Sequence, residues 1–234
     1  MAQPIIITID GPAGAGKSTT ARKVAGKLGY VYVDTGAMYR AVTLALIRSK
    51  MDATEENVVH VMEGMAIELI NDENGQRTFL NGDDVTENIR HPSVTALVST
   101  VAAFPRVRRR LVQRQREMGL RGGIVMDGRD IGSVVFPNAH VKVFLIADIE
   151  ERTKRRLADL KAMGDDVDED ELMRQILERD KEDSERDASP LIQPEGAHVI
   201  DTTHMTIDEQ VDKIVTLARK YLTTEGLISH FGNL

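Results

Sequence analysis

The chain has 234 residues, 41% hydrophobic and 29% charged, an ordinary composition for a globular protein with one large domain or a core that carries a small insertion. It contains no cysteine, which excludes disulfides and thiolate metal sites and fits a reducing, cytoplasmic location. The net charge of -7 argues against nonspecific nucleic-acid binding. No apolar run approaches the roughly 18 residues of a membrane span. We therefore expect this chain to bind neither nucleic acid nor a membrane.

The first motif is a glycine-rich loop that directly follows a buried strand. The strand covers residues 5–10, and residues 11–19 match the phosphate-binding pattern G-x-x-x-x-G-K-[ST]. Glycines let such a loop turn tightly enough to aim consecutive N–H groups at a phosphate. The helix that follows presents its positive end to the same anion. We therefore predict a nucleotide-phosphate site made of Gly11, Pro12, Ala13, Gly14, Ala15, Gly16, Lys17, Ser18 and Thr19.

Two residues of this loop have predicted roles of their own. Lys17 is expected to place its ammonium group on the β and γ phosphates, and the Ser18 hydroxyl is expected to bind Mg²⁺. The pattern alone does not distinguish a kinase from a GTPase or an ATP-driven machine.

A second strand, residues 30–33, ends in Asp34, Thr35 and Gly36, and a helix follows with Arg40 in its first turn. Ligands of open α/β sheets bind at the carboxyl ends of strands. Thr35 and Arg40 are therefore predicted to lie where a second substrate would approach the phosphate loop. Plain helix capping is the alternative explanation of this segment.

The pattern then changes to short alternating segments that predict antiparallel strands. Residues 67–70 and 77–80 alternate, and Asn81-Gly82 is a strong hairpin signal. Two or three such strands between helices indicate a small insertion on a parallel core, and such a module can close over a ligand.

Two helices are predicted next, over residues 93–103 and 105–119. The second carries six arginines, most of which we interpret as a solvated basic face.

Another buried strand, residues 123–126, ends in the sequence Asp127-Gly128-Arg129-Asp130. An acid at the end of a core strand suits Mg²⁺ or its bound water, and Arg129 supplies a planar cation that fits a phosphate. A surface turn is the alternative explanation, but the position at a strand end favours a functional role.

A further strand leads to a helix over residues 149–163 and then to an acidic stretch, 165–171, which we interpret as a solvated turn and helix start. The next helix carries Arg179, Asp183 and Arg186, whose spacings of four and three place them on one face. A mobile helical hairpin that ends in arginines is what a phosphoryl-transfer enzyme requires of a lid.

The last strand, residues 198–200, precedes a helix that starts with a capping box at residues 206–209, and residues 223–234 are predicted to be a tail. The six histidines show no metal-ligand spacing, and we interpret them as structural or exposed.

Six segments of the chain occur in the order typical of one enzyme family, namely residues 11–19, 34–40, 80–85, 99–108, 127–132 and 179–186. With them the chain resembles the bacterial cytidylate kinases, which belong to the nucleoside monophosphate kinases among the P-loop kinases. The resemblance implies one α/β domain, 1–234, of the P-loop NTPase type, with a five-stranded parallel sheet and helices on both faces. It also implies a small antiparallel β/α insertion at 64–105 that binds the monophosphate, and a helical lid at about 164–193.

The resemblance implies an activity as well, which is ATP-dependent phosphoryl transfer to CMP or dCMP, with Mg²⁺, by a monomer. The residues that would contact cytosine are Ser99, Arg108 and Asp130. Those that would contact the ribose are Arg179 and Asp183. Those that would hold phosphate oxygens are Arg40, Arg129 and Arg186, and Thr35 would lie in the same CMP site.

Catalysis would depend on positioning and on neutralising charge, by the residues Lys17, Arg40, Asp127, Arg129 and Arg186. Asp127 would bind Mg²⁺ directly or through a bound water. The chain departs from the family pattern at Leu97-Val98, where small residues are common, and at Ser133, which replaces a common threonine.

The base assignment has a physical rationale, because cytosine offers an amine donor beside two acceptors. Asp130 could accept from the amine while Arg108 and Ser99 donate to the ring, whereas uracil would present O4 to Asp130. Two alternatives stay open at this stage. One is a kinase for another small acceptor, such as UMP, AMP or shikimate, and the other is a nucleotide-dependent regulator without an acceptor, although no N-K-x-D guanine signal is present.

Overall fold

The structure is a computed structural model that describes residues 4–73, 75–162, 164 and 167–231. Its central sheet is built from five strands: β1 Ile6–Asp10, β2 Val31–Asp34, β6 Ile124–Gly128, β7 Val141–Ile146 and β8 His198–Asp201. All neighbouring pairs are parallel, in the order β2-β6-β1-β7-β8. The predicted five-stranded parallel sheet is therefore confirmed.

The helices follow the strands in the alternation typical of an α/β fold. They are α1 Lys17–Leu28, α2 Thr35–Ser49, α3 Glu55–Val61, α4 Pro92–Ala103, α5 Pro105–Gly119, α6 Ile149–Ala162, α7 Glu169–Glu185 and α8 Ile207–Phe231. Two short turns complete them, a 3₁₀ turn at Asn88–Arg90 and a π-helical turn at Ile131–Val135. Neither α3 nor the π-helical turn was anticipated from the sequence.

Helices cover both faces of the sheet because side chains alternate along each strand. Ile7 and Ile9 of β1 are fully buried in a cluster with residues of α1 and α8. On the other face, Ile124 and Met126 of β6 pack with Val112 of α5 and with the π-helical turn. The sheet is thus the middle layer of three.

The predicted insertion contains a second, antiparallel sheet of three strands, β3 Ile67–Asp72, β4 Gly75–Leu80 and β5 Asp83–Asp84. Asn81 and Gly82 both have positive φ, 53° and 87°, as a tight hairpin turn requires. The amide of Gln76 docks this sheet on β2, because it donates to the Tyr32 carbonyl at 2.8 Å and accepts from the Asp34 N–H at 3.1 Å. The insertion is held against the edge strand of the core.

The predicted lid region includes α7, which starts where Asp168 caps the Glu171 N–H at 2.9 Å. Residues 165 and 166 of that region lie outside the described residues. The capping box at α8 is present, with Glu209 accepting from the Thr206 N–H at 2.8 Å. The α8 backbone continues to Phe231, so the predicted tail boundary at 223 is not a break in the helix, and residues 232–234 lie outside the described part.

Within the described part of the chain, no helix combines the length and apolar character needed to cross a membrane.

The packing of β7 gives a stability prediction. Leu145→Ala should lower the free energy of unfolding by about 2–5 kcal/mol, because Leu145 is fully buried and its truncation leaves a cavity. Val199→Ala on the neighbouring strand β8 is the matched control, since Val199 is 46% exposed, and it should change stability by about 0.5 kcal/mol. Urea denaturation of both variants measures the difference, and equal effects would contradict this description of the core.

Candidate active site

Three strand ends meet at one edge of the sheet. In the parallel register Asp10 of β1 lies beside Gly128 of β6, and Asp34 of β2 lies beside Asp127 of β6. The phosphate loop, the Asp34 segment and the segment after Asp127 therefore start from adjacent strands. This is the edge at which open α/β sheets bind their ligands.

The glycines of the phosphate loop hold conformations that other residues rarely adopt. Gly11, Gly14 and Gly16 have φ of 146°, 76° and 85°. A Cβ on Gly11 would lie 2.1 Å from the carbonyl oxygen of Leu145, so the loop could not approach β7 with any side chain there. Helix α1 begins immediately after, at Lys17. The loop therefore has the geometry that a bound phosphate requires.

Lys17 is buried within this loop, and its ammonium donates to the Pro12 carbonyl at 2.6 Å. Burial, together with the nearby charge of Arg129, lowers the pKa of Lys17 well below its usual value. A neighbouring anion would reverse this effect. The binding of phosphates by Lys17 stays a prediction, and its buried position at the start of α1 is compatible with it.

Asp127 is a buried acid that accepts hydrogen bonds from three hydroxyl groups. Its carboxylate accepts from Ser18 Oγ at 2.8 Å and from the Tyr32 hydroxyl at 2.9 Å, while its carbonyl accepts from Thr35 Oγ1 at 2.7 Å. Burial and the charge of Asp34 raise the pKa of Asp127 above its usual range. The two predicted Mg²⁺ ligands, Ser18 and Asp127, thus lie in contact, and Tyr32 is a partner that the sequence did not reveal.

A buried ion pair joins α5 to the loop after β6. Arg108 donates to the Asp130 carboxylate, and it also donates to the Ala102 carbonyl at 2.9 Å. Its guanidinium lies over the ring of Tyr39, 5.3 Å from the centroid. Ser99 is half-buried on α4, three residues before Ala102 and hence on the same side of that helix. The three predicted cytosine contacts therefore belong to one region of the structure.

Asp183 connects the lid to the loop after β6. It accepts from Arg129 Nε at 2.8 Å and lies 3.6 Å from Arg186 Nη1, which follows the end of α7. Burial alone would raise the pKa of Asp183, but the charges of Arg129 and Arg179 hold it below its usual value. The Asp183 carboxylate thus contacts Arg129 and Arg186 and interacts electrostatically with Arg179.

Arg40 lies in a small cavity of about 50 Å³ between α2, the 3₁₀ turn and α6. The cavity is lined by Asp34, Ala37, Arg40, Ile89, Arg90 and Arg156. Arg40 Nη1 donates to Thr95 Oγ1 at 2.8 Å and to the Ile89 carbonyl at 3.3 Å. Burial, with the charges of Arg179 and other arginines, lowers the pKa of Arg40 to about 9. The structure thus adds Arg90 and Arg156 to the predicted arginine set.

The two lid arginines share the Asp183 carboxylate. Arg186 Nη1 lies 3.6 Å from Asp183 Oδ1, and Arg186 Nε donates to the Ser189 carbonyl at 2.7 Å. The charge of Asp183 also acts on Arg179, one turn earlier on α7. The resemblance assigned ribose to Arg179 and phosphate to Arg186, and both assignments stay predictions.

Several buried guanidinium donors have no hydrogen-bond partner among the described residues. They are Arg108 Nε, Arg179 Nε and Arg186 Nη2. A buried donor without a partner costs about 1–3 kcal/mol, so native proteins rarely leave one in place without a reason. All three atoms belong to predicted acceptor-site residues, and a bound ligand rich in acceptor oxygens would satisfy them.

The sequence reasoning missed a direct contact between the lid and the phosphate loop. Arg152 of α6 pairs with Asp180 of α7 and donates to the Ala13 carbonyl at 3.2 Å. The Ala13 N–H in turn donates to Asp180 Oδ1 at 3.4 Å. Asp180 stands next to Arg179 in the lid motif, and that adjacency was the only available signal.

A phosphate loop on the central strand, an acid at the end of the adjacent strand and an arginine-bearing helical hairpin together define a P-loop kinase. The sequence model of the cytidylate kinase family matches residues 7–220. The cytidylate kinase of Bacillus subtilis (strain 168) is 50% identical over 216 residues, which cover 92% of this chain and 96% of that protein. The cytidylate kinase of Bacillus cereus (strain ATCC 10987 / NRS 248) is 49% identical over 218 residues, 93% and 97% of the two chains. The chain belongs to the cytidylate kinase family, and the predicted family is confirmed.

Among solved structures, the shikimate kinase of Bacteroides thetaiotaomicron is similar at 15% identity, covering 92% of this chain and 98% of that chain, with a TM-score of 0.49. At this level the likeness bears on neither substrate nor mechanism.

The pairing of Asp183 with both Arg129 and Arg186 can be tested by measuring the free energy of unfolding. Asp183→Asn should lower the free energy of unfolding by about 3–5 kcal/mol, because it removes the charge that the buried Arg129 and Arg186 face. Glu185→Gln, at an exposed position of α7, is the matched control and should cost about 0.5 kcal/mol or less. Denaturant unfolding of both variants without nucleotide gives the comparison, and an Asp183 variant as stable as the control would refute the assignment.

Proposed function

We propose that this chain transfers the γ-phosphoryl group of ATP to CMP or dCMP, giving ADP and CDP or dCDP. The family membership supports the reaction class, and one structural observation carries the assignment to this site. The guanidinium groups of Arg108, Arg179 and Arg186 have buried donors without a partner among the described residues, and these groups lie with the acids Asp130 and Asp183. An acceptor with a polar base and a phosphate would supply partners for these donors.

The base end of the proposed site suits cytosine. The Asp130 carboxylate accepts from the exocyclic amine, and Arg108 and Ser99 donate to the ring acceptors. Uracil would place its O4 against the Asp130 carboxylate, and the resulting unpaired buried groups cost about 1–3 kcal/mol each.

The phosphate end lies between the lid and the phosphate loop. Lys17 and the loop amides hold the donor phosphates, and Arg40, Arg129 and Arg186 hold the acceptor phosphate. Arg179 and Asp183 contact the ribose between the base and this phosphate. Transfer passes through a loose transition state in which charge spreads over the γ-phosphoryl oxygens. Because the acceptor phosphate is itself the nucleophile, these residues act by positioning the two nucleotides and by neutralising charge.

Mg²⁺ fits the residues at the end of β6, although the metal is a proposal for this chain. Ser18 and Asp127 offer hydroxyl and carboxylate oxygens, the ligands that Mg²⁺ prefers, and Asp34 adds a nearby negative charge. Among the described residues no group of three or more histidine, cysteine or acidic side chains forms a complete metal site. This is consistent with an ion held jointly with nucleotide phosphates, where it would neutralise their charge.

The lid excludes water from the proposed site. α7 reaches the phosphate loop through Asp180 and Arg152 and reaches the acceptor loop through Asp183 and Arg129. Exclusion of water prevents hydrolysis of ATP before the acceptor is in place. A cytoplasmic location and a monomeric state stay predictions from the composition and the resemblance.

The proposed function is tested by measuring ADP formation across CMP, dCMP, UMP, AMP and shikimate. We expect kcat/KM for CMP and dCMP to exceed that for UMP by at least about tenfold, because uracil leaves buried polar groups unpaired. Asp130→Asn places an amide donor where uracil has O4. The ratio of kcat/KM for CMP to kcat/KM for UMP should therefore fall in that variant. Equal kcat/KM for CMP and UMP in the wild-type enzyme would defeat the assignment.

The position of Arg186 gives a separate prediction. Arg186→Ala should lower kcat by more than about tenfold and leave the Kd for ATP within about twofold, because Arg186 is proposed to hold the acceptor phosphate. Arg179→Ala is the companion variant and should act mainly on KM for CMP, since Arg179 is proposed to contact the ribose. Steady-state kinetics with calorimetry for ATP separate the two effects, and a near wild-type Arg186→Ala enzyme would remove this residue from the site.

A further inference from the structure

Asp10, the last residue of β1, is a fully buried acid that the proposed transfer does not use. Its two carboxylate oxygens accept from the Ile131 N–H at 2.8 Å and from the Gly132 N–H at 2.7 Å. These are the first two amides of the π-helical turn, and the first amides of a helical turn have no carbonyl partner within it. Asp10 therefore caps an element that lies far away in the sequence.

The capped turn fixes the loop that carries Arg129 and Asp130. The Asp130 carbonyl accepts from the Val134 N–H at 2.9 Å, which ties the residue itself to the turn. The loop also has no spare room, because a Cβ on Gly132 would lie 2.8 Å from Thr8 Oγ1, and one on Gly128 would lie 2.6 Å from Thr35 Oγ1. A displacement of the Ile131 and Gly132 amides would therefore displace the whole loop.

Burying a carboxylate at this position is energetically unfavourable. Burial raises the pKa of Asp10 to about 7, and the two backbone hydrogen bonds offset only part of the penalty. A carboxylate offers two acceptor oxygens, so it can accept from both N–H groups. Asparagine, the uncharged side chain of this size, must turn an amide donor toward one of the two N–H groups. The double acceptor is the property that the turn uses.

We propose that Asp10 is a positioning residue that sets the acceptor-binding loop at a fixed place relative to the donor loop. The backbone of Asp10 continues directly into Gly11 of the phosphate loop, while its side chain holds the turn after Asp130. Asp10 thus links the phosphate loop, which is proposed to bind ATP, to Arg129 and Asp130, which are proposed to bind the acceptor. The inference rests on the proposed function, because it assigns Arg129 and Asp130 to the acceptor.

The test compares Asp10→Asn with Thr8→Val, a control at a fully buried position of the same strand whose hydroxyl has no partner among the described residues. Asp10→Asn should lower kcat/KM for CMP by at least about tenfold and leave the Kd for ATP within about twofold. Hydrogen exchange at the Ile131 and Gly132 amides should accelerate in Asp10→Asn and stay slow in Thr8→Val. Both measurements are made well below the melting temperature of each variant.

Gly132→Ala provides an independent perturbation in case Asp10→Asn does not fold. A Cβ there would lie 2.8 Å from Thr8 Oγ1 and 3.2 Å from Asp10 Oδ2, so it pushes the turn away from β1 without removing the carboxylate, and it should give the same loss for CMP with ATP binding preserved. A loss of ATP affinity equal to the loss for CMP, or unchanged exchange at the two amides, would overturn the positioning role. If the wild-type enzyme fails to phosphorylate CMP, the proposed function falls, and the exchange experiment still decides what Asp10 does to the loop.

Discussion

The site depends on a surplus of buried positive charge at the carboxyl edge of the sheet. Burial, together with neighbouring arginines, lowers the pKa of Arg40 to about 9 and that of Arg179 to about 10, and it lowers the pKa of Lys17 as well. Each of these groups would hold its proton more firmly with an anion among them. The arrangement is electrostatically incomplete without a ligand, and a polyphosphate supplies the missing charge although the chain as a whole carries -7.

The lid and the insertion are joined to the rest of the structure in different ways. The lid meets the phosphate loop through the polar contacts of Asp180 and Arg152. The insertion meets the edge strand through Gln76, and its apolar side chains, such as Ile67 and Leu80, also pack with α2 in one buried cluster. A movement of the insertion would therefore have to rearrange an apolar cluster, whereas the contact of the lid with the phosphate loop is polar.

The sequence predicted those parts of the fold and site that local patterns encode. The phosphate loop, the parallel strands and the Asn81-Gly82 hairpin each follow from short-range backbone demands, and the structure has all three. Strand order and the Arg108–Asp130 pair join distant segments, so no periodicity could supply them. The family resemblance gave Arg108 and Asp130 as contacts of one base but did not predict that they pair with each other. Tyr32 was predicted only as a strand residue, and Arg152 was given no role, because a sequence does not show which polar group will be buried opposite another.

The distribution of charged residues in the site favours some acceptors over others. Arg108 and Asp130 are buried and oppositely charged, so their charges largely offset each other. A small acid such as shikimate would bring its carboxylate toward Asp130, and two buried carboxylates in proximity raise the free energy of the complex. The cationic residues lie at the other end, around Arg40 and Lys17. A neutral base joined to a phosphate has the same polarity along its length, and this match favours a nucleotide over a small acid as the acceptor.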